Sequence, residues 1–249
     1  MYIIVFIYFL FYIIFHYYGL FSNKNVLENV AYGLKFRNVK KQDRINKSLE
    51  ILKIVGLEGY EYRKVHELSG GQRQRVALAR SLVISPRLIL LDEPFSNLDK
   101  NLRITMRNEI KKLVKYFKMT TILVTHDQED AFTMADRVIL MNEGKIIQNS
   151  TVTELYNSPN SEFSLSFIGN SNKLDNDNFI RPEKINIVDY KTDNFAEIIS
   201  KQFRGSFIEY QLKLNNESNI LKVIELNTGK EKNIGDNVYI EYELQKLSN

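Results

Sequence analysis

Hydrophobic positions recur along this chain with spacings that predict helices in its first third. Apolar residues at helical spacing run from Val26 to Leu34 and again from Ile45 to Val55, which predicts two helices. Ser69 precedes a third helical pattern, Gly70 to Val83, at the place where a serine caps a helix N-terminus. We therefore expect a helical region over about residues 26–83.

Short continuous apolar runs further along the chain predict a parallel sheet. Leu88 to Leu91 ends at a pair of carboxylates, and Thr121 to Thr125 ends at His126. Between them, apolar residues at helical spacing from Leu102 to Phe117 predict the crossover helix of a βαβ unit. A further strand is predicted over Arg137–Met141. Because open α/β sheets bind ligands beyond the carboxyl ends of their strands, the polar residues there form a candidate site.

After about Thr151 the pattern changes to polar, Asn-rich spacers followed by short apolar or alternating segments, which predict strands. These strands are Phe207–Leu214, Leu221–Leu226 and Val238–Leu244. The changes of pattern predict an atypical apolar segment at residues 1–21, a main α/β domain at 22–150, a linker at 151–172 and a small β domain at 173–249.

The first 21 residues leave three interpretations open, because Met1 to Phe15 is almost wholly Ile, Phe, Tyr and Leu and no charge occurs before Lys24. They are non-native sequence from a shifted reading frame or misplaced start, a buried strand, or a membrane segment. β-Branched and aromatic residues favour a strand, while a membrane-spanning helix needs about 20 apolar residues. A basic start and a small-residue cleavage site, which a signal peptide requires, are not found.

Composition excludes several other classes. Hydrophobic content of 44% and charged content of 26% over 249 residues are typical of a globular protein. The net charge of +4 is only mildly basic, and we expect no nucleic-acid partner. The absence of cysteine excludes a disulfide framework and a thiolate zinc site.

Three features have the residue types that phosphate chemistry needs, and each has an ordinary structural alternative. Ser69-Gly70-Gly71 at a helix start presents free N–H groups to a phosphate, although a capped turn without a ligand has the same pattern. One carboxylate of the Asp92-Glu93 pair suits Mg²⁺ and the other suits deprotonation of water, although strand-end acids are often merely solvated. His126 either donates a hydrogen bond to a phosphate oxygen or is structural.

The order and spacing of these features resemble the ATP-binding subunit of ABC transporters over about Phe15 to Asn172. Leu68–Gln72 resembles the signature motif, Leu88–Glu93 the Walker B strand, Ser96–Asp99 the D-loop and His126 the switch histidine. The likeness is to importers in particular, in Val26–Val30 and in Leu155–Pro159 through Phe167–Gly169. Arg181-Pro182-Glu183 resembles the landmark of a C-terminal TOBE domain, an OB-like barrel, as in spermidine/putrescine and ferric-iron importers.

The resemblance implies a head-to-tail dimer in which ATP lies between the P-loop of one subunit and the signature motif of the other. Asp92 would then bind Mg²⁺, Glu93 would be the general base and His126 would contact the γ-phosphate. The residues implied to bind the partner's nucleotide are Ser69, Gly70, Gly71, Gln72 and Asp99. Further partners would be transmembrane permease subunits and, indirectly, an extracytoplasmic substrate-binding protein, with the chain peripheral to the cytoplasmic face of the cell membrane.

The chain departs from the family pattern in its phosphate-binding loop. A P-loop needs Gly-x-x-x-x-Gly-Lys-Ser/Thr, but the Gly-Lys pairs here, Gly144-Lys145 and Gly229-Lys230, precede Ile146 and Glu231. His16 stands at the position of the Q-loop glutamine, where it would bind water or a metal. We expect an N-terminally truncated, P-loop NTPase-like α/β domain that lacks its first strands and is inactive alone. The alternative is a non-catalytic partner or regulatory module of a transporter.

Overall fold

The computed structural model describes the backbone of residues 11–14 and the full residues 19–96, 98–175, 177–215 and 219–248. The chain divides into two compact units, Met1–Ala135 (unit 1) and Asp136–Asn249 (unit 2). The segment boundaries that the sequence suggested, at residues 21, 150 and 172, stay predictions.

Unit 1 combines helices with a parallel three-stranded sheet whose strand order is β1-β2-β3. Its elements are β1 (Phe11–Ile14), α1 (Val26–Lys35), α2 (Lys41–Ile54), α3 (Gly70–Leu82), β2 (Leu88–Asp92), α4 (Lys100–Tyr116), β3 (Thr120–Val124) and α5 (Gln128–Met134), with a 3-10 turn at Val65–Glu67. The predicted helices, the two strands and the crossover helix are confirmed within a few residues.

The packing of unit 1 follows its hydrophobic pattern. Ile89 and Leu91 point to one face of β2 and are buried, as are Met106 and Ile110 on α4. Together with apolar residues of α1, α2 and α3 they form a single core cluster. Since β2 and β3 are parallel and in register, with Asp92 opposite Val124, their carboxyl ends lie side by side.

The N-terminal segment contributes one described strand. β1 pairs in parallel with β2, and Phe11 lies opposite Leu88. The apolar segment thus contains a strand at these four residues, while residues 1–10 and 15–18 lie outside the described part. No helix within the described ranges is long and apolar enough to span a bilayer.

Unit 2 is built mainly of antiparallel strands. Its elements are β4 (Val138–Asn142), β5 (Lys145–Ser150), α6 (Val152–Asn157), α7 (Glu162–Phe167), β6 (Asn172–Lys173), β7 (Asn178–Ile180), β8 (Ile185–Val188), β9 (Phe195–Phe203), β10 (Phe207–Leu214), β11 (Ile220–Leu226), β12 (Asn237–Tyr242) and β13 (Gln245–Lys246), with a 3-10 turn at Pro182–Lys184. β4 and β5 form a hairpin, and α6 and α7 lie inside the predicted linker.

The predicted barrel in the tail is not observed. In the described residues of unit 2 the strands form an open five-stranded sheet, β11-β10-β9-β12-β8, and a separate three-stranded sheet, β13-β7-β6. β11 pairs with β10 and β8 pairs with β12, each through one side, so the larger sheet keeps two edges and does not close. Its buried face carries a core of its own that includes Ile198, Tyr210 and Val223.

Candidate functional site

Glu93 begins the turn after β2 and has an unusual backbone. Its φ is +47°, in the left-handed region that non-glycine residues seldom adopt. The Glu93 N–H donates to the Val124 carbonyl over 2.9 Å, and the Glu93 carbonyl accepts the Ser96 hydroxyl over 2.9 Å. These two bonds tie the turn both to β3 and to its own continuation, which holds the strained conformation in place.

His126 follows β3 and contacts the Glu93 carboxylate twice. Its backbone N–H donates to Glu93 Oε1 over 3.1 Å, and its ring Nδ1 lies 2.7 Å from the same oxygen. The His126 side chain is 79% exposed, whereas that of Glu93 is 26% exposed. The structure therefore brings together the predicted base and the predicted switch histidine, at an edge that is open to solvent.

Asp92, the predicted magnesium ligand, is the last residue of β2 and is partly buried. No described residue forms a hydrogen bond or ion pair with its carboxylate. Within the described ranges, no group of three or more His, Asp or Glu side chains is close enough to hold a metal ion. Asp92 thus offers a single carboxylate at the strand end.

The Ser69–Gln72 segment forms the start of α3. The Ser69 hydroxyl accepts the Gln72 N–H over 3.3 Å, and the Gln72 side chain accepts the Ser69 N–H over 2.9 Å, a capping box. The N–H groups of Gly70 and Gly71 remain without intrahelical partners, as at any helix start. A Cβ added at Gly70 would meet nothing within 4 Å, whereas Gly71 is buried and a Cβ there would lie 3.2 Å from Leu102 Cδ1.

Asp99 caps α4, because its carboxylate accepts the Leu102 N–H over 3.0 Å. Asn97 of the predicted D-loop and His16 at the Q-loop position lie outside the described residues. In the described part of unit 1 no hydrogen bond or ion pair joins Ser69–Gln72 or Asp99 to the Glu93–His126 pair. One link lies nearby, since buried Gln74 of α3 donates to the Pro94 carbonyl over 2.8 Å.

Sequence reasoning missed a row of cations on α4. Arg103 Nη1 lies 2.5 Å from Asp127 Oδ2, Arg107 Nη2 lies 2.6 Å from Asp130 Oδ1, and Lys111 Nζ lies 2.5 Å from the Thr133 carbonyl. The signal that indicates them is their spacing of four residues, which places them on one helix face opposite the acidic start of α5.

The charges of this row shift the pKa values of two of its groups. Burial alone would raise the pKa of Asp127, but the backbone N–H groups of Asp130 and Glu129 and the Arg103 cation together lower it below its ordinary value. Burial also opposes the charge of Arg107, yet hydrogen bonds to Asp130 and Glu129 raise the pKa of its guanidinium. Both groups are therefore charged at neutral pH.

Comparison with known proteins finds a family model that matches part of the chain. Residues 11–96, which include Ser69–Gln72 and Asp92-Glu93, match the sequence model of the ABC transporter family.

Three relatives illustrate the likeness. The chain is 48% identical over 159 residues to the Fe(3+) ions import ATP-binding protein FbpC of Mannheimia succiniciproducens, covering 64% of this chain and 45% of that protein. It is 46% identical over 172 residues to the spermidine/putrescine import ATP-binding protein PotA of Mycoplasma capricolum, covering 69% and 49%. It is 45% identical over 189 residues to PotA of Mesoplasma florum, covering 74% and 54%. The chain thus spans about half the length of these curated relatives.

Proposed function

We propose, from the premise that residues 11–96 belong to the ABC transporter family, that this chain carries the signature-motif and Walker B parts of the ATP-binding subunit of an import transporter. The observation that carries the proposal is the contact of Glu93 with His126 at the carboxyl ends of neighbouring parallel strands. Ligands of open α/β sheets bind at this edge.

The residues present fit a magnesium nucleotide. Asp92 supplies the hard oxygen ligand that Mg²⁺ prefers, and Mg²⁺ usually takes one or two carboxylates and completes its shell with water and phosphate oxygens. In this role the ion would neutralise charge on the phosphates. The described residues therefore meet the need for a protein ligand without forming a closed metal cage.

Glu93 is proposed as the general base for the attacking water and His126 as the contact to the γ-phosphate. An ionised carboxylate only accepts hydrogen bonds, so the contact to Glu93 Oε1 makes His126 Nδ1 the donor. Nε2 is then the ring nitrogen left for a phosphate oxygen, and donation from Nε2 requires the imidazolium form. Glu93 Oε2 remains for the water.

Ser69–Gln72 is proposed to bind a second nucleotide, held mainly by another subunit. The N–H groups at the start of α3 lie at the positive end of the helix dipole, which favours a phosphate. The absence of bonds between this segment and Glu93 in the described residues fits the head-to-tail dimer implied by the family. Asp99 would act in the same interface from the start of α4.

These 249 residues contain no Gly-x-x-x-x-Gly-Lys-Ser/Thr loop, the motif that holds the β- and γ-phosphates. It would come from further chain or from another subunit, and residues 1–249 alone should not hydrolyse ATP. This same observation favours the second candidate function, a non-catalytic partner or regulatory module of a transporter.

The names of the relatives support uptake of ferric iron or of polyamines as the transported class. On this proposal the partners are a second ATPase subunit, membrane-spanning permease subunits and, indirectly, an extracytoplasmic binding protein. The chain would be peripheral on the cytoplasmic face of the membrane. Residues 173–249 would be a TOBE-like regulatory domain, for which Arg181-Pro182-Glu183 is the supporting motif.

The first test measures hydrolysis by a mixed dimer. The chain is combined with a family member that has an intact P-loop and an inactivated signature motif, so that Ser69–Gln72 must complete the site. We expect no turnover by either protein alone and turnover by the mixture. Gly70→Asp should abolish that turnover, and it should fold because a Cβ added at Gly70 meets nothing within 4 Å. The matched control for folding is Ser161→Ala, which removes a cap serine from α7 outside the site.

The second test concerns Glu93. A chimera that joins the first strands and P-loop of a family member to this chain should hydrolyse ATP, and Glu93→Gln should lower turnover about 10²-fold or more. Glu143→Gln is the control, because Glu143 is an exposed glutamate with a similar φ of +48° in the β4–β5 turn. Turnover by the chain alone that Glu93→Gln abolishes would refute the claim that it is inactive unaided. Nucleotide binding without turnover in both tests would favour the non-catalytic role.

A further inference from the structure

His126 holds a defined position although its side chain has almost no packing. The imidazole is 79% exposed, and its hydrogen bonds within the described residues go to Glu93. An exposed side chain on a loop keeps one position only when the backbone that carries it is fixed. The fixing must therefore come from the residues on either side of His126.

Both sequence neighbours of His126 are held by side-chain bonds. The Thr125 hydroxyl donates to Asp130 Oδ2 over 3.2 Å and accepts the Asp127 N–H over 3.0 Å. Asp127 Oδ1 accepts the N–H groups of Glu129 and Asp130 over 2.8 and 3.2 Å, which caps α5. The loop is thus bonded to the start of α5 on each side of the histidine.

Helix α4 holds the start of α5 in turn. Arg103 contacts Asp127 Oδ2 at 2.5 Å, where the two side chains are 25% and 24% exposed. Arg107 donates from Nε and Nη2 to Asp130 Oδ1 over 2.9 and 2.6 Å, and both side chains are 3% exposed. A buried arginine with two donors on one carboxylate fixes both orientation and distance. The carboxylate that Arg107 fixes is the one that Thr125 binds.

We propose that Arg103 and Arg107 are positioning residues, which hold the Thr125–Asp130 segment so that the His126 imidazole stays on the Glu93 carboxylate. We call the Arg103–Asp127 and Arg107–Asp130 pairs, with Thr125, the α4 clamp. The inference rests on the proposed function for its biological meaning, since Glu93 and His126 are the proposed catalytic pair. The clamp itself is a physical arrangement that can be tested without nucleotide.

The test observes the ring nitrogens of His126 directly. The full chain is labelled with ¹⁵N-histidine and studied by long-range ¹H–¹⁵N NMR at mildly alkaline pH, and the His126 signals are assigned by their loss in His126→Gln. With the clamp intact, we expect the Nδ1–H tautomer, because Nδ1 donates to Glu93. Arg103→Met and Thr125→Val should shift the signals toward the Nε2–H-rich mixture of a free imidazole. The same variants should lose hydrogen-exchange protection of the His126 N–H.

Arg75→Met is the matched control. Arg75 of α3 pairs with Glu109 on α4 at 2.6 Å, with exposures of 26% and 33%. Arg75→Met therefore removes an ion pair of similar exposure that also involves α4, without changing the loop that carries His126. A purely structural role predicts that Arg75→Met and Arg103→Met lower the urea midpoint alike and that neither moves the His126 signals. The clamp predicts a change in those signals for Arg103→Met and none for Arg75→Met, with partial recovery in Arg103→Lys.

Each remaining outcome is decisive. Arg107→Met leaves the buried Asp130 carboxylate without its cation and can unfold the chain. If it does, Thr125→Val replaces it in the test, because that change removes one hydroxyl and no charge. Folded Arg103→Met and Thr125→Val chains with the parent Nδ1–H signal would overturn the proposal, as would a parent chain without that tautomer. Failure of the hydrolysis tests with a confirmed tautomer shift would refute the proposed function and leave the clamp intact.

Discussion

Removing the buried guanidinium of Arg181 should destabilise unit 2 selectively. Arg181 is fully buried, and its described partners are backbone carbonyls and aromatic rings. Nη2 donates to the Tyr156 carbonyl over 3.0 Å, and Nη1 donates to the carbonyls of Asn170 and Gly169 over 3.1 and 3.4 Å. The guanidinium also lies 4.3 Å from the centre of the Tyr156 ring. Burial lowers the pKa of Arg181, because the charged guanidinium is desolvated there.

The magnitude follows from these contacts. In Arg181→Met the two shorter hydrogen bonds, worth about 1.5 kcal/mol each, are lost, and buried carbonyls are left unpaired. The cation–π contact adds about 1 kcal/mol, whereas the bond at 3.4 Å is too long to add much. Methionine fills much of the volume and avoids burying a charge, which returns about 1–2 kcal/mol. The expected net loss is about 2–3 kcal/mol.

Hydrogen exchange read by mass spectrometry on the full chain measures this loss separately for each unit, through the free energy of opening of local amides. Peptides of unit 2 should lose protection in Arg181→Met and keep only part of it in Arg181→Lys, because an ammonium restores a charge but not the two-nitrogen geometry of the guanidinium. Arg204→Met, at an exposed turn of the same unit, should change stability by no more than about 0.5 kcal/mol. A change below that size in Arg181→Met, or an equal change in unit 1, would show that the reasoning about the buried cation is wrong.

Three further predictions concern pH and backbone strain. Because the folded-state pKa of Asp127 is below its unfolded value of about 3.9, its charge stabilises the fold at neutral pH and that contribution is lost as the pH falls through the folded-state pKa. Asp127→Asn should therefore flatten the acid limb of urea-unfolding curves below about pH 4. Tyr156 is the opposite case, since burial and then its bond to Glu183 raise its pKa to about 12. This stabilisation is fully present below the unfolded value of about 10 and is lost as the pH rises from there through the folded-state value of about 12, and Tyr156→Phe should abolish this alkaline loss. At φ +47° Glu93→Gly should be more stable than Glu93→Ala by about 1 kcal/mol in urea unfolding, and equal stabilities would exclude strain at this position.

Local signals predicted most of unit 1, because its elements are specified by neighbouring residues. The cap at Ser69 and the helix that follows it depend on side chains within three positions, and β2 depends on one apolar run. The contact of Glu93 with His126 also follows from local information, because consecutive parallel strands end at the same edge of the sheet. Such features need no knowledge of distant contacts.

Strand pairing in unit 2 was beyond the sequence pattern. β10 was predicted over its full range, Phe207–Leu214, because its alternation is regular. β9 was missed, because alternation holds at Ala196 and Ile198 and then breaks, where the pairing with β10 shifts register at Gln211/Leu212. The sheet closes into a barrel only if its edge strands β11 and β8 pair with each other. That pairing depends on the tilt and stagger of all the strands together, which the residues of one strand do not specify.

The cations of α4 are polar residues that an argument from hydrophobic periodicity overlooks, although their position beside the apolar row can reveal them. A row of cations spaced by four is usually a solvated face, yet Arg107 is 3% exposed. The apolar row of α4 runs through Leu102, Met106 and Ile110, and each cation follows one of these residues by one position. One position is about 100° of helix rotation, so the cation row lies along the border of the apolar face, where side chains are partly covered. Partly covered cations stay charged only when carboxylates on a neighbouring element pair with them. The acidic start of α5, directly after His126, supplies these carboxylates. The combination of a border row with an acidic cap beside a candidate histidine is therefore a sequence signal for positioning residues, which neither pattern provides alone.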